Sequence, residues 1–334
     1  MPVETIGRPF VGLSRRESFP QRLAARLYRR LGRGGPGTGA STEAINIVTR
    51  AGAGTTPVTV VCISDTHNTK PSPLPPGDIL LHAGDLSQYG TWPEIQAQLT
   101  WLADQPHPHK IVIAGNHDLL LDRAFVAAHP DRELERRPEH RRDHLDWGAL
   151  AYLERESVDL TVGEDGRRIR VFGSPWTPRC GNWAFQYAAD AAPSGDSSSF
   201  SWEGAVPDGT DVVLAHGPPA GHLDDGGKGC ARLLAELWRV RPRLVVCGHI
   251  HAGRGREWLP FDAAQAWYEN VTLGRRQWLS LAGLMLCVLW DLITGVTGRR
   301  RAGGGGLRGT CLVNAAVVGG RGNTEPRDPV VLVI

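Results

Sequence analysis

The segment VTVVCISDTH, residues 58–67, decides the fold class. Its first six residues form a short, largely apolar run, which is typical of a central strand covered on both faces. Asp65 and His67 follow two residues apart, and in extended geometry both side chains point to the same face. A strand that ends in such a pair suggests an α/β fold with ligand-binding side chains at a strand end.

Four further apolar runs end in the same way, at residues 79–81, 111–113, 212–214 and 244–246. The polar blocks that follow them are Gly84-Asp85, Gly115-Asn116-His117-Asp118, Ala215-His216-Gly217 and Gly248-His249-Ile250-His251. Segments 93–103, 118–128 and 229–239 have helical spacing, so the chain predicts an α/β fold with crossover connections. In such folds ligands collect at the carboxyl ends of the strands, where these blocks would meet.

The polar blocks provide a donor set that suits metal ions. The candidate ligands are Asp65, His67, Asp85, Asn116, His216, His249 and His251. They offer carboxylate, carboxamide and imidazole groups but no thiolate, which favours Mn, Fe, Zn or Mg over a Cys-rich structural zinc site. The set is too large for one ion, and two divalent ions that share a carboxylate fit the number of donors.

The five blocks resemble the calcineurin-like metallophosphoesterases, whose pattern is D-x-H, G-D, G-N-H-[DE], H and G-H-x-H in that order. The resemblance covers residues 58–251 and implies a layered sandwich of two mixed β-sheets flanked by helices. It implies that one metal is held by Asp65, His67, Asp85 and His251, and the other by Asp85 as a bridge, Asn116, His216 and His249. It also implies that His117 acts near the scissile phosphate and that Asp118 orients it.

The same resemblance implies an enzyme that hydrolyses phosphate esters with a hydroxide held between two divalent ions. Segments 173–178, 182–185 and 216–224 are similar to the metallophosphoesterase-domain branch related to class III cyclic-nucleotide phosphodiesterases. This similarity predicts a phosphodiesterase, with cyclic nucleotides among its substrates. The second block lacks the Arg of the phosphoprotein phosphatase signature, which counts against a protein phosphatase. A phosphomonoesterase on nucleotides or small metabolites and a catalytically idle scaffold stay open as alternatives.

Three residues are predicted substrate contacts: Trp176, His222 and Asp224. Trp176, like Trp183, could stack on a nucleobase, with core packing as the alternative. His222 and Asp224 follow a Pro-Pro turn and could either contact substrate or stabilise that turn. His82 lies within an apolar run and is predicted to be a hydrogen-bonded core histidine rather than a ligand.

The chain is predicted to divide into a tail and one domain. Residues 1–56 are rich in Arg and Gly and predict a disordered extension. Within it, leucines spaced four residues apart between arginines predict a short basic amphipathic helix over 19–31. That helix could bind an anionic membrane, act as an organelle transit peptide or remain a solvated tail. Residues 57–334 are predicted to form a single metallophosphoesterase domain.

One apolar segment interrupts the predicted domain. Residues 278–296 are almost wholly apolar, and an inserted apolar helix is predicted at about 272–308. Its length is borderline for a transmembrane span, but a single span would place His251 and the closing strand near 311–313 on opposite sides of a membrane. We therefore predict an interfacial or partner-binding helix that makes a peripheral membrane or protein contact.

Composition limits the classes of partner and compartment. The net charge of +2 and the pI of about 8.3 are too mild to predict specific nucleic-acid binding. The resemblance to the metallophosphoesterases implies a small phosphate ester as the partner. Six cysteines without a C-x-x-C pair favour a reducing, intracellular compartment. The N-terminal residues lack the order of a secretory signal, so the predicted location is cytoplasmic, with a membrane-peripheral or organellar location as the alternative.

Overall fold

The computed structural model describes residues 18–31, 45–46, 56–135, 137–188, 200–294, 309–320 and 322–334. Most of the predicted disordered extension, and residues 295–308 of the predicted inserted segment, lie outside these ranges. The helices are α1 (Phe19–Arg30), α2 (Trp92–Ala103), α3 (Arg123–Ala128), α4 (Ala231–Val240), α5 (Ala263–Thr272) and α6 (Gln277–Thr294). The strands are β1 (Ile45–Asn46), β2 (Thr59–Ile63), β3 (Ile79–His82), β4 (His109–Val112), β5 (Ala151–Tyr152), β6 (Glu156–Val162), β7 (Arg167–Ser174), β8 (Thr177–Pro178), β9 (Gln186–Tyr187), β10 (Val212–Ala215), β11 (Leu244–Cys247), β12 (Gly255–Leu259), β13 (Thr310–Asn314), β14 (Val318–Gly319), β15 (Glu325–Pro326) and β16 (Val330–Val333).

Two mixed sheets form the centre of the fold. The first has the strand order β1-β16-β2-β3-β4-β5, and the second has the order β12-β13-β11-β10-β7-β6. The central strands β2, β3 and β4 are parallel, and so are β7, β10, β11 and β13. Antiparallel pairs join β16 to β2 and β12 to β13. This arrangement confirms the predicted α/β sandwich of two mixed sheets with crossover connections.

The apolar runs are continuous because both faces of each central strand are covered. In β2, Val60 and Cys62 belong to the apolar layer between the sheets, which also contains Leu214 of the second sheet. Val61 and Ile63 point the other way, into the layer covered by α2. Side chains of α4 cover the outer face of the second sheet. Alternating polar residues would place an unpaired polar group in one of these layers.

The segment predicted as one helix over 118–128 is divided in the structure. A 3-10 turn at Leu119–Leu121 comes first, and α3 then begins after Asp122, whose side chain accepts a hydrogen bond from Phe125 N. The second carboxylate oxygen of Asp122 accepts from Phe185 N at 2.8 Å. Capping by Asp122 therefore interrupts the helical pattern and fixes the loop that contains Phe185.

α1 is docked against α5 and α6, so the alternative of a solvated tail helix is wrong. Ala24, Tyr28 and Leu31 are buried, and the Tyr28 ring stacks on Tyr268 of α5 with 4.2 Å between centroids. A capping box begins the helix at Ser18. We call α1, α5 and α6 the three-helix cluster.

α6 is the one helix, within the part of the chain that the structure describes, whose length and composition would allow it to cross a membrane. Leu281, Leu284 and Val288 are buried against α1 and α5. The large side chains on the opposite side of α6 are exposed. The three-helix cluster therefore has an apolar outer surface.

Candidate metal centre

The five motif loops follow the carboxyl ends of β2, β3, β4, β10 and β11. Three of these strands belong to the first sheet and two to the second. Backbone hydrogen bonds connect the loops: Asp65 N donates to Gly84 O at 2.9 Å, and Gly248 N donates to His216 O at 2.8 Å. The candidate ligands from both sheets therefore converge at one edge of the sandwich.

The backbone is left-handed at four candidate ligands. The φ angle is 56° at Asp65, 43° at His67, 54° at Asp85 and 64° at His249. The prediction that extended geometry aligns Asp65 with His67 is therefore wrong, because β2 ends at Ile63 and the chain turns after it. This conformation costs a non-glycine residue about 1–2 kcal/mol, and such residues cluster at functional sites.

Two glycines allow the loops to approach one another closely. A Cβ atom on Gly115 would overlap the carboxylate of Asp85, and a Cβ atom on Gly248 would overlap Ser64 and the carboxylate of Asp65. The lack of space, rather than the φ angle, requires glycine at both positions. Each of these two motif blocks begins with glycine because any side chain there would displace a ligand.

Asp85 lies between two groups of candidate ligands. Its Oδ2 atom is 3.6 Å from His67 Nε2, and its Oδ1 atom is 3.4 Å from His216 Nε2. The first group is Asp65, His67 and His251, and the second is Asp85, His216 and His249. In each group, one donor atom from each residue lies within 4.8 Å of the others. The position of Asp85 fits a carboxylate that bridges two ions.

The last predicted ligand, Asn116, joins the second group. Its Oδ1 atom is 3.0 Å from His216 Nε2. In the first group, Nε2 of His251 is 3.2 Å from Oδ1 of Asp65. The structure thus brings all of the predicted ligands together.

The charges of the site fit a bound cation. Asp65 and Asp85 are buried, and their ion-pair partners among the described residues are histidines. Burial by itself raises the pKa of Asp65, but His251 lowers it to about 2. Burial likewise opposes the charged form of His216, but Asp85 raises its pKa to about 9. Buried carboxylates need a positive partner, and divalent ions suit this set of oxygen and imidazole donors.

His117 lies beside the first group but is oriented by a residue that the sequence analysis missed. Its Nδ1 atom is 2.8 Å from the backbone oxygen of Gln88. Its ring meets the edge of the His67 ring at 4.8 Å and stacks on Trp183 with 4.1 Å between centroids. A backbone carbonyl carries no sequence signal, so Gln88 could not have been found, whereas Trp183 was considered for base stacking or core packing but not for contact with His117.

Asp118 does not orient His117, contrary to the role implied by the resemblance. Its carboxylate accepts hydrogen bonds from Gly115 N at 2.8 Å, from Leu86 N at 3.1 Å and from both N and Oγ of Ser87. Asp118 therefore ties the third motif loop to the second. Burial, followed by the nearby Asp85 carboxylate, raises the pKa of Asp118 to about 6.

His222 and Asp224 are wrong as predicted substrate contacts. His222 is fully buried, with Nδ1 at 2.9 Å from Glu257 and Nε2 at 3.1 Å from Glu269. Asp224 accepts hydrogen bonds from three backbone N–H groups of its own loop. The alternative of turn stabilisation therefore holds for Asp224, and His222 is part of a buried ion network.

Trp176 is packed in an aromatic cluster. Its ring stacks on Phe200 at 5.4 Å and meets Phe185 edge-on at 5.8 Å, which favours the core-packing alternative. The predicted core role of His82 is confirmed, because its Nε2 atom is 3.0 Å from the hydroxyl of Thr66 and its Nδ1 atom accepts from a backbone N–H group. Trp183, rather than Trp176, is the aromatic residue beside His117.

Comparison with known proteins agrees with the motif analysis. A family model described as calcineurin-like phosphoesterase matches residues 58–253. This range contains all of the candidate ligands. The match confirms the superfamily resemblance inferred from the five blocks.

Three relatives cover different shares of this chain. Probable rhamnogalacturonate lyase C of Emericella nidulans is 44% identical over 279 residues, which are 83% of this chain and 24% of that protein. Metallophosphoesterase domain-containing protein 1 of Homo sapiens is 37% identical over 209 residues, 58% of this chain and 61% of that protein. A UPF0046 protein of Caenorhabditis elegans is 33% identical over 219 residues, 59% and 52% respectively. The chain spans less than two thirds of the length of each of these relatives.

Proposed function

The chain belongs to the calcineurin-like phosphoesterase family, and from this premise we propose that it is a metal-dependent phosphodiesterase, with cyclic nucleotides as the candidate substrates. The observation that carries the proposal is the position of His117 beside both groups of candidate ligands: one donor atom from each of His67, Asp85 and His117 lies within 4.8 Å of the others. The choice of cyclic nucleotides rests on the three segments that resemble the class III phosphodiesterase branch.

Each candidate ligand has a proposed role. One metal is held by Asp65, His67, Asp85 and His251, and the other by Asp85, Asn116, His216 and His249. When bound, two divalent ions provide a nucleophilic hydroxide at neutral pH and neutralise the charge on the phosphoryl oxygens. Mn, Fe, Zn and Mg all accept these donors, so availability decides among them.

His117 supplies the proton to the leaving oxygen. Its Nδ1 atom faces the carbonyl oxygen of Gln88 at 2.8 Å, and because a carbonyl can only accept, Nδ1 carries a hydrogen. In the imidazolium form of His117 both ring nitrogens carry a hydrogen. Nε2 gives its proton to the ester oxygen as the bond to phosphorus breaks, which leaves a neutral ring whose remaining hydrogen is on Nδ1. The backbone N–H of His117 donates to Asp85 Oδ1 at 2.8 Å, so the acid and the bridging carboxylate are held in one unit.

The composition of the loop after Asp85 favours a phosphodiester over a phosphomonoester as the substrate. Residues 86–90 carry no cationic side chain, and the hydroxyl of Ser87 is used by Asp118 at 2.7 Å. A phosphomonoester has one more negative charge than a diester, and Arg is the residue best suited to pair with it. The composition of this loop therefore favours the singly charged ester.

The position of Trp183 favours a substrate that has an organic group on its leaving oxygen. Its side chain is half-buried and stacks on His117, so the group attached to the oxygen that His117 protonates would lie close to an aromatic ring. Nucleobases stack on such rings without sequence preference. A nucleotide diester fits this environment.

The test compares hydrolysis of bis-p-nitrophenyl phosphate with that of p-nitrophenyl phosphate by the purified chain, with and without added Mn²⁺. We expect metal-dependent cleavage with preference for the diester, followed by cleavage of cyclic nucleotides. Asp85→Ala should lower kcat/KM by at least about 10³-fold, or about 4 kcal/mol, because both proposed metal ions would lose a ligand. Preference for the monoester would contradict the proposal and support the phosphomonoesterase alternative.

A matched variant separates catalysis from metal binding. His117→Gln leaves every candidate ligand in place, so we expect unchanged metal content by elemental analysis and a decrease in kcat of about 10²–10⁴-fold. A native chain that binds metal but cleaves none of these esters would contradict the enzyme proposal and support the scaffold.

A further inference from the structure

The outer side of α6 is an exposed apolar surface. Its exposed side chains are Trp278, Leu279, Ala282, Met285, Leu286, Leu289, Trp290, Leu292 and Ile293, and we call this set the α6 face. Within Gln277–Thr294 no exposed side chain is charged. The exposed fraction is 67% for Trp278 and Trp290 and 73% for Ile293. Contiguous apolar surfaces of this kind mark sites of interaction with a protein or a membrane.

The α6 face is one continuous stripe along the helix. At 100° per residue its side chains occupy an arc of about 160°, and the 18-residue helix is about 27 Å long. The remaining arc carries Leu281, Leu284 and Val288, which are packed against α1 and α5. The stripe therefore faces away from the protein along the whole helix.

Arginines lie next to the α6 face. Arg275 and Arg276 directly precede α6 and are exposed. The neighbouring helix α1 contains no acidic residue, and its exposed arginines lie on the side opposite Ala24 and Tyr28, which pack against α5 and α6. An apolar stripe with two tryptophans and adjacent arginines is complementary to the boundary between the phosphates and the acyl chains of an anionic bilayer.

We propose that the α6 face binds the surface of an anionic phospholipid bilayer, with α6 parallel to the membrane plane. The exposed apolar side chains enter the acyl boundary, while Arg275 and Arg276 at the start of α6 contact lipid phosphates. Binding in this way holds the metal centre next to a membrane without a transmembrane anchor. The proposal does not depend on turnover.

The packing of the three-helix cluster opposes two other arrangements of α6. A transbilayer orientation would carry the arginines of α1 into the hydrocarbon, because α1 is packed on α6, and buried arginines are costly there. A symmetric dimer through the α6 face would cover the apolar stripe but would offer no exposed acidic side chain of α6 to Arg275 and Arg276. An anionic lipid surface satisfies both the apolar stripe and the charges.

The test is flotation of the full chain with phosphatidylcholine vesicles that contain or lack phosphatidylserine, at low and high salt. We expect binding to the anionic vesicles that weakens as salt is added. The triple variant Leu286→Glu, Trp290→Glu, Ile293→Glu should reduce the bound fraction at least tenfold. Arg275→Gln with Arg276→Gln should reduce it severalfold at low salt.

The matched control is Arg132→Gln with Arg137→Gln, which changes the net charge equally at exposed positions outside the three-helix cluster and should leave binding unchanged. Thermal unfolding by circular dichroism verifies that each variant folds, and Leu286→Glu alone replaces the triple variant if that variant does not fold. The proposal would be overturned if the native chain did not bind the anionic vesicles. It would also be overturned if a folded variant with glutamate on the α6 face bound them as well as the native chain does. The proposal would also be overturned if the native chain formed a dimer, the α6-face variant were a monomer, and neither bound vesicles. The α6 face would then be the contact with a second copy of the chain.

Discussion

The metal centre buries charged groups, whereas the three-helix cluster exposes apolar ones. At the metal centre, Asp65 and Asp85 are almost inaccessible to solvent. In the cluster, Trp278 and Ile293 are mostly exposed. Both arrangements are unfavourable for a chain alone in water, and the partners that we propose for them are divalent cations in one case and a lipid surface in the other. Both proposals therefore rest on a mismatch between residue type and burial rather than on polarity alone.

A buried ion network connects the two regions. His222 lies in the loop after β10, whose end carries the candidate ligand His216, and contacts Glu269 of α5 as well as Glu257 of β12. Trp238 Nε1 of α4 donates to the other carboxylate oxygen of Glu269 at 2.8 Å. The network therefore attaches α5 to the second sheet, although it belongs to neither the metal groups nor the α6 face.

The largest effect is expected for Gly248→Ala at the metal centre. The new Cβ atom would overlap Ser64 and the carboxylate of Asp65, so the first group of ligands cannot keep its geometry. We expect kcat/KM to decrease by at least about 10³-fold, about 4 kcal/mol, with loss of bound metal by elemental analysis. If Gly248→Ala retained both metal and activity, the close packing of Gly248 against Asp65 would not be needed for the ligand geometry.

The control for Gly248→Ala is Gly209→Ala. Gly209 has φ of 75° and nothing within 4 Å of its ideal Cβ position, so alanine there adds backbone strain of about 1–2 kcal/mol but no overlap. We expect Gly209→Ala to lower the free energy of unfolding without changing kcat/KM. The pair therefore separates damage to the ligand geometry from general destabilisation.

The second prediction concerns the network between the two regions. His222→Ala removes the positive partner of two buried carboxylates, and we expect the free energy of unfolding in urea to decrease by about 3 kcal/mol. The exposed His144 provides the control, since His144→Ala should change this free energy by less than about 0.5 kcal/mol. Equal, small effects of both variants would show that the network does not hold α5 in place.

The pH dependence of the same variant gives an independent measurement. Burial by itself lowers the pKa of His222, but Glu257 and Glu269 raise it from 6.5 to about 10. A group whose pKa is higher in the folded state stabilises the fold fully at pH values below its unfolded-state pKa. This contribution is lost as the pH rises through the folded-state pKa. The difference in the free energy of unfolding between the native protein and the His222→Ala variant should therefore be largest below pH 6.5 and decrease toward pH 10.

A smaller effect is expected for Trp183, which holds the ring of His117 from one side. Trp183→Ala should lower kcat for bis-p-nitrophenyl phosphate about tenfold, or about 1.4 kcal/mol, with unchanged metal content. Trp183→Phe keeps an aromatic face and should recover most of kcat. A rise in KM alone, with kcat unchanged, would assign Trp183 to substrate binding and contradict its role in positioning His117.

The candidate ligands could be predicted from the sequence because local signals mark the loops that contain them. An apolar run locates the end of a strand, and the glycine before Asp85, Asn116 or His249 indicates that the next side chain is packed closely. Parallel strands then bring ends that are distant in sequence to one edge. The fold class follows from the same runs, since they are apolar on both faces.

The remaining features depend on contacts that no local pattern encodes. Gln88 acts through its backbone carbonyl, and His222 is charged by carboxylates 35 and 47 residues away. The docking of α1 depends on a stack between Tyr28 and Tyr268, which helical periodicity near the N-terminus cannot reveal. Such tertiary partners explain why the roles of Asp118 and His222 were wrong while the positions of the ligands were not.

The smallest effect is expected on the exposed side of the comparison. Leu286 is 66% exposed, whereas Leu284, two residues earlier on the same helix, is fully buried. Leu286→Ser should change the free energy of unfolding by less than about 0.5 kcal/mol, while Leu284→Ser should decrease it by at least about 2 kcal/mol. Urea unfolding of dilute protein measures both. A large decrease in the free energy of unfolding for Leu286→Ser would mean that the α6 face is already covered in the absence of lipid. The surface would then be a contact between copies of the chain rather than a site for lipid.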